Sequence, residues 1–143
     1  MKLASRTADF FGYTGSQTES LRHLRAAGFR FGDYSFGCDY SSRSGIYSED
    51  PAAHLDAVAQ TADELGIQLI QAHSPMGRPI TENEEQAALI EGTKLCIKAC
   101  ADLGIENIVV HSGYDEGLSK EETFARNKKF YDELLPVAEK KNV

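Results

Sequence analysis

Four residues spaced 38 apart, Gly28, Gly66, Gly104 and Asn142, each stand where an apolar helical stripe gives out. Glycine and asparagine best tolerate the left-handed backbone that closes a helix C-terminus. A chain punctuated in this way is built of repeated units, each one supersecondary element long. His73 and His111 share the same step. With 4 histidines in 143 positions, a second one falling at a chosen offset has a chance of about 3%, so the phase match supports a structural repeat.

The units share an internal grammar. TGSQTESLRHLRAAG places Ser16 three residues before Glu19, a capping-box signature, with Leu21 and Leu24 on one face. EDPAAHLDAVAQTADELG puts Asp50 before Pro51, an N-cap followed by proline at the first helical position. Leu55, Val58, Ala59, Ala62 and Leu65 then form its stripe. In TENEEQAALIEGTKLCIKACADLG, Thr81 and Glu84 read as a second capping box ahead of Leu89, Ile90, Ile97 and Leu103. In SKEETFARNKKFYDELLPVAEKKN, Ser119 and Glu122 read as a third, ahead of Phe130, Leu134 and Val137. Pro136 lacks an N–H and is expected to kink that last helix near Asp132 to Leu135. Short apolar strands separate the helices, in FRFGDYSF, IQLIQA and IENIVV, with a weaker one in KLASRT.

Strict alternation of strand and helix predicts an α/β fold with a parallel sheet of right-handed βαβ units. A doubly wound sheet would carry a glycine-rich phosphate turn after its first strand, and FFGYTGS is no GxGxxG. The constant step instead favours the units of a TIM (β/α)8 barrel. Residues 1–143 then read as one partial TIM-barrel domain of about four parallel βα repeats, the N-terminal half of a fold of ~250 residues. A fifth strand is expected to begin at Val143.

Charge narrows the partners. The formal net charge is −7, which argues against nucleic acid or an anionic membrane, since both need a basic face. No apolar run approaches the ~18 residues of a membrane span. The start, MKLASRTADFF, lacks the apolar core of a signal peptide, so a cytoplasmic location is expected. The cysteines, Cys38, Cys96 and Cys100, are odd in number and without framework spacing, which predicts reduced thiols. Cys96 and Cys100 lie four apart on one helical face and are expected in the core.

In a barrel the loops after the strands gather on one face and carry the chemistry. His73 and His111 end neighbouring strands about 4.8 Å apart, so their imidazoles can reach one metal ion or one bound hydroxyl. Asp33, near the end of the second strand, is placed to hold a substrate hydroxyl or a neighbouring side chain, or to face solvent at the loop start. Arg78 is the basic residue in the loop after His73, positioned to clamp a phosphate or carboxylate or simply to be solvated. The segment 35–49, SFGCDYSSRSGIYSE, is expected as a long polar and aromatic loop able to cover a pocket. His23 and His54 lie within helices and read as surface or packing residues. Leu69 and Val109, or their alternating neighbours, are expected to point inward from the sheet.

A strand ending HSP, a strand ending VVHSG, LG at each helix end and the helix LLPVAEKKNV together resemble the xylose isomerase-like TIM barrels, and within them the sugar phosphate isomerase/epimerase group. The resemblance spans essentially the whole chain, as the N-terminal half of such a barrel. It implies a divalent metal ion (Mn, Mg, Co or Zn) and acid/base carboxylates that move a proton between adjacent carbons of a small sugar, sugar phosphate or polyol, a role in carbohydrate metabolism. It puts His73 and His111 on the family's pocket histidines, positions that bind zinc in the related endonuclease IV branch, so they are expected as substrate and metal residues, beside Asp33 and Arg78, which their own positions suggest for the substrate. It further implies that the metal-binding glutamate and the later carboxylates follow Val143, so the metal is expected for the complete fold and the half-chain alone is expected to lack turnover. Asp33 stands where many relatives carry glutamate. Two other readings stay open. One is an endonuclease IV-like metal-dependent AP endonuclease, against which the acidic balance counts. The other is a non-catalytic half-barrel that pairs with itself as a homodimer or with another half, because a four-strand slice leaves two open edges and an apolar face.

Overall fold

All four of the 38-spaced residues take the left-handed conformation, with φ of 94° at Gly28, 62° at Gly66, 68° at Gly104 and 57° at Asn142. In each case the following amide reaches back to the same place in the helix: Phe29 to Leu24, Ile67 to Ala62, Ile105 to Cys100 and Val143 to Ala138. This is the Schellman closure, and it ends each of these four helices in the same way. The computed structural model describes residues 2–143. In chain order the elements are β1 (Ala4–Arg6), α1 (Ala8–Thr14), α2 (Gln17–Ala26), β2 (Phe31–Ser35), α3 (Phe36–Ser42), a 3-10 turn (Gly45–Tyr47), α4 (Pro51–Leu65), β3 (Gln68–His73), α5 (Glu84–Asp102), β4 (Ile108–Val109) and α6 (Lys120–Lys141). The strands pair in parallel in the order β1-β2-β3-β4, half of a TIM barrel.

Helix starts follow their caps, with two departures. Asp50 accepts from the Ala53 amide, and Ser119 and Glu122 form the complete reciprocal box. Ser16 accepts from the Glu19 amide, but the Glu19 carboxylate takes a bond from Arg22 instead of returning to the cap. Thr81 does not cap α5. The helix begins later, and Asn83 accepts from the Gln86 amide while the Thr81 hydroxyl donates to Asn83. Pro136 sits within α6 without ending it. The Asp132 carbonyl that loses a donor there belongs to an exposed residue, so water can replace the missing N–H.

Two segments expected as loops are helical. FFGYTGS contributes to α1, closed by Gly15 at φ 62°. Most of 35–49 folds into α3 and the 3-10 turn, because Phe36, Asp39 and Ile46 are buried and pull the segment onto the core. Conversely, IENIVV supplies only two strand residues, since β4 lies at the sheet edge and pairs with β3 alone.

Leu21, Leu24, Tyr34, Val58, Ala72, Cys96 and Cys100 are buried between the sheet and its helices. A second cluster, Leu89, Ile97, Phe130 and Leu134, joins α5 to α6. Leu69, expected on the inward side, belongs to the helix side. It closes around Gly32 with Ile67 and Leu21, and a Cβ on Gly32 would stand 3.0 Å from Leu69 Cδ2. The cause is a register irregularity: Gly32 pairs with Leu69 but Asp33 with Gln71, so the alternation of β3 slips by one residue. The opposite face then carries Asp33, Gln71 and His73, with Val109 in register with His73. Among the described residues, no helix is long and apolar enough to cross a membrane.

Candidate functional site

The site is assembled from strand ends. Asp33 is 5% exposed. Its Oδ2 accepts from Gln71 Nε2 at 2.6 Å and its Oδ1 lies 2.9 Å from His73 Nδ1. An ionised carboxylate only accepts, so Nδ1 carries the hydrogen and the Nε2 lone pair of His73 is left for a ligand. His111 lies two residues beyond Val109, the register partner of His73. Its ring centroid stands 5.8 Å from that of His73, at an interplanar angle of 32°.

Both histidines line a pocket of about 550 Å³ at the C-terminal ends of the strands. Arg6 and Ala8 bound it from the end of β1, and Ser35, Cys38 and Tyr40 from the end of β2 and from α3. Ser74, Pro75 and Met76 complete the wall after His73. The lining holds no carboxylate. Arg6 is its cation, and that guanidinium already donates to Asp9 at 3.1 Å. Partial burial pushes the Asp9 carboxyl up, but hydrogen bonds from Ser5 and Arg6 outweigh it and hold the group below its ordinary range. Burial, together with the neighbouring Asp39 charge, raises the Cys38 thiol.

Asp33, His73 and His111 thus come together. Arg78 does not join them: it is exposed and lies outside the pocket lining. Sequence reasoning passed over Arg6 and Gln71, and met Ser35, Cys38 and Tyr40 only as members of a segment able to cover a pocket. For two of these a signal was present. Ser35 stands one 38-residue step before His73, and Gln71 one step after Asp33. Arg6 carries no comparable mark.

The two imidazoles are the donors this pocket offers a cation. Among the described residues, no group of three or more His, Cys, Asp or Glu side chains could hold a metal ion. A zinc site needs about three protein ligands even when catalytic. The residues present therefore do not complete a metal centre.

A parallel half-barrel with a histidine-lined pocket at the C-terminal mouth defines a TIM-barrel protein whose site sits where that fold places its chemistry. The particular family follows from the sequence: the Xylose isomerase-like TIM barrel model matches residues 21–143, and the chain belongs to that family. No curated protein is significantly similar to it. Among solved structures it resembles a D-tagatose 3-epimerase-like protein, with a TM-score of 0.75 and 20% identity over 100% of this chain and 51% of the other. A putative xylose isomerase from Rhodospirillum rubrum gives 0.73 and 14%, over 100% and 52%. A D-psicose 3-epimerase, crystallised in the presence of D-fructose, gives 0.69 and 16%, over 100% and 50%. The chain spans about half the length of these structures.

Proposed function

We propose that this chain is the substrate-holding half of a sugar or sugar-phosphate isomerase/epimerase of the xylose isomerase-like family, a class that moves a proton between adjacent carbons. The observation that carries the reading is the Asp33–His73–His111 arrangement at the mouth of the half-barrel. His73, fixed by Asp33, presents Nε2 as an acceptor to a sugar hydroxyl, and His111 offers a second imidazole one ring away. Met76, Pro75 and Tyr40 give apolar surface for the sugar's C–H faces. The family's divalent metal, when bound, would polarise the carbonyl or hydroxyl. From this half it would meet His73 and His111 and would need further ligands.

With Arg6 engaged by Asp9 and Arg78 outside the pocket, this half favours an uncharged ketose or polyol over a phosphorylated one. The same lack of a free cation counts against an abasic-site nuclease, which must neutralise several phosphates.

The test is imidazole 15N NMR during titration with D-fructose, D-tagatose, a ketose phosphate and an abasic DNA duplex. Saturable shifts at His73 and His111 with the neutral ketoses, with affinities on the order of millimolar, are expected. Response to the duplex alone, or to none of the sugars, would overturn the reading.

A further inference from the structure

We propose that the buried carboxylate of Asp39, held by Gln17 and Tyr34 and through Tyr34 by His54, is a latch that fixes helix α3 as a wall of the pocket. Releasing it lets α3 swing out while the rest of the fold stays closed. The inference does not depend on what the pocket takes.

Helix α3 has seven residues, and its N-cap, Ser35, makes no side-chain capping bond. Gly37, Cys38, Tyr40 and Ser41 face the pocket. Asp39 turns the other way and is completely buried. Its Oδ1 accepts from Gln17 Nε2 at 2.8 Å and its Oδ2 from the Tyr34 hydroxyl at 2.8 Å. The Tyr34 hydroxyl has one hydrogen and spends it on Asp39, so it accepts from His54 Nε2, also at 2.8 Å. The bonds therefore run in one direction, from His54 through Tyr34 to Asp39. Gln17 adds a second hold, since its Nε2 also donates to the Ser35 carbonyl at the root of α3 at 3.0 Å. Helices α2 and α4 and strand β2 thus all grip α3 at one carboxylate.

An apolar side chain would pack this spot at lower cost. Burial pushes the Asp39 carboxyl above its ordinary range against the pull of Gln17, Tyr34 and the His54 imidazole 3.7 Å away, and among the described residues no lysine or arginine pairs with it. A buried carboxylate gives directional, breakable attachment where packing alone gives a permanent one. The chain also shapes its backbone to admit it. Gly45 has φ 59°, and a Cβ there would collide with the Asp39 carboxyl. Phe36, buried in the core, remains as the pivot at the start of the helix.

Cys38 reports the motion, because it lies on α3 in the pocket and is half-buried. Cys96 and Cys100 are buried, which pushes both thiols up to about 12 and keeps them silent in the closed fold. The experiment measures the reaction rate of each thiol with a disulfide reagent, with far-UV circular dichroism alongside, in the wild type, Tyr34→Phe and His54→Phe. Losing a hydrogen bond to a charged group should raise the Cys38 rate roughly tenfold or more in Tyr34→Phe, with Cys96 and Cys100 unreactive and helix content unchanged. His54→Phe, at the outer end of the chain of bonds, should raise it less, and it carries the test if Tyr34→Phe fails to fold. An unchanged Cys38 rate in a folded variant would overturn the latch. So would all three thiols reacting together, which would mark general loosening.

Discussion

Asp33 Oδ1 stands 2.9 Å from His73 Nδ1, and Asp33 and His73 belong to neighbouring strands. The pair decides which nitrogen of His73 faces the pocket. Gln71 holds the second carboxylate oxygen, so the carboxylate cannot rotate away. In Asp33→Asn, an amide N–H can turn toward Nδ1 and move the imidazole hydrogen to Nε2. Ketose affinity should fall about tenfold, the loss of one oriented hydrogen bond, and the 15N pattern of His73 should change tautomer. Unchanged affinity with an altered tautomer would remove His73 as an acceptor for the sugar.

The pocket lining contains two imidazoles and no carboxylate. Residues 1–143 alone should bind a ketose without epimerising it, with or without added Mn, Mg, Co or Zn. Proton exchange at the sugar carbons, followed by NMR in deuterium oxide, checks this. Incorporation above the buffer rate by the homogeneous chain would mean the imidazoles do the acid/base work themselves.

The sheet has two open edges, β1 and β4. Beside β4, helix α6 exposes Phe124 and Leu135, and Tyr114 precedes it, at 71%, 51% and 78% exposure. Such an edge and apolar face recruit other chains. Analytical ultracentrifugation at micromolar concentration should show self-association, with a twofold pair as the smallest closed form. A clean 15.7 kDa monomer with a sharp urea transition would show that the half-barrel is self-sufficient.

At the start of α6, hydrogen bonds from the Ser119 hydroxyl and then its amide hold the Glu122 carboxyl below its ordinary 4.5. A carboxyl lowered by folding stabilises fully above its unfolded value, and that stabilisation is lost as pH falls through the lower folded value. The protection of first-turn α6 amides, measured relative to their intrinsic exchange rate, should therefore fall as pH drops below about 4.5. Ser119→Ala should shrink that step, because only the amide bond to Glu122 remains. A step of undiminished size would place its origin elsewhere.

Much of this was legible in the sequence because it is written in local chemistry. The helix ends at Gly28, Gly66, Gly104 and Asn142, and the caps at Asp50 and Ser119, depend on a few adjacent residues. His73 and His111 were placed at one mouth by the repeat alone. What escaped depends on contacts across the fold. Leu69 changed sides because β3 pairs irregularly with β2, which no alternation pattern reveals. Segment 35–49 reads as polar, yet the burial of Asp39 by three distant partners makes it helical. Arg6 and Arg78 differ only in where their backbones end up, and composition ranks them equally.

The ladder registers carry one more consequence. Ser35 lies opposite His73, a full repeat away, whereas His73 lies opposite Val109, two residues short of its repeat equivalent His111. Beyond the irregularity between Gly32 and Asp33, equivalent positions therefore climb the sheet by nothing at one strand junction and by two residues at the next. Continued around eight strands, that staircase rises by about eight residues, the shear of a closed TIM barrel. A ring closed on these strands would thus inherit a pitch that three of them already set.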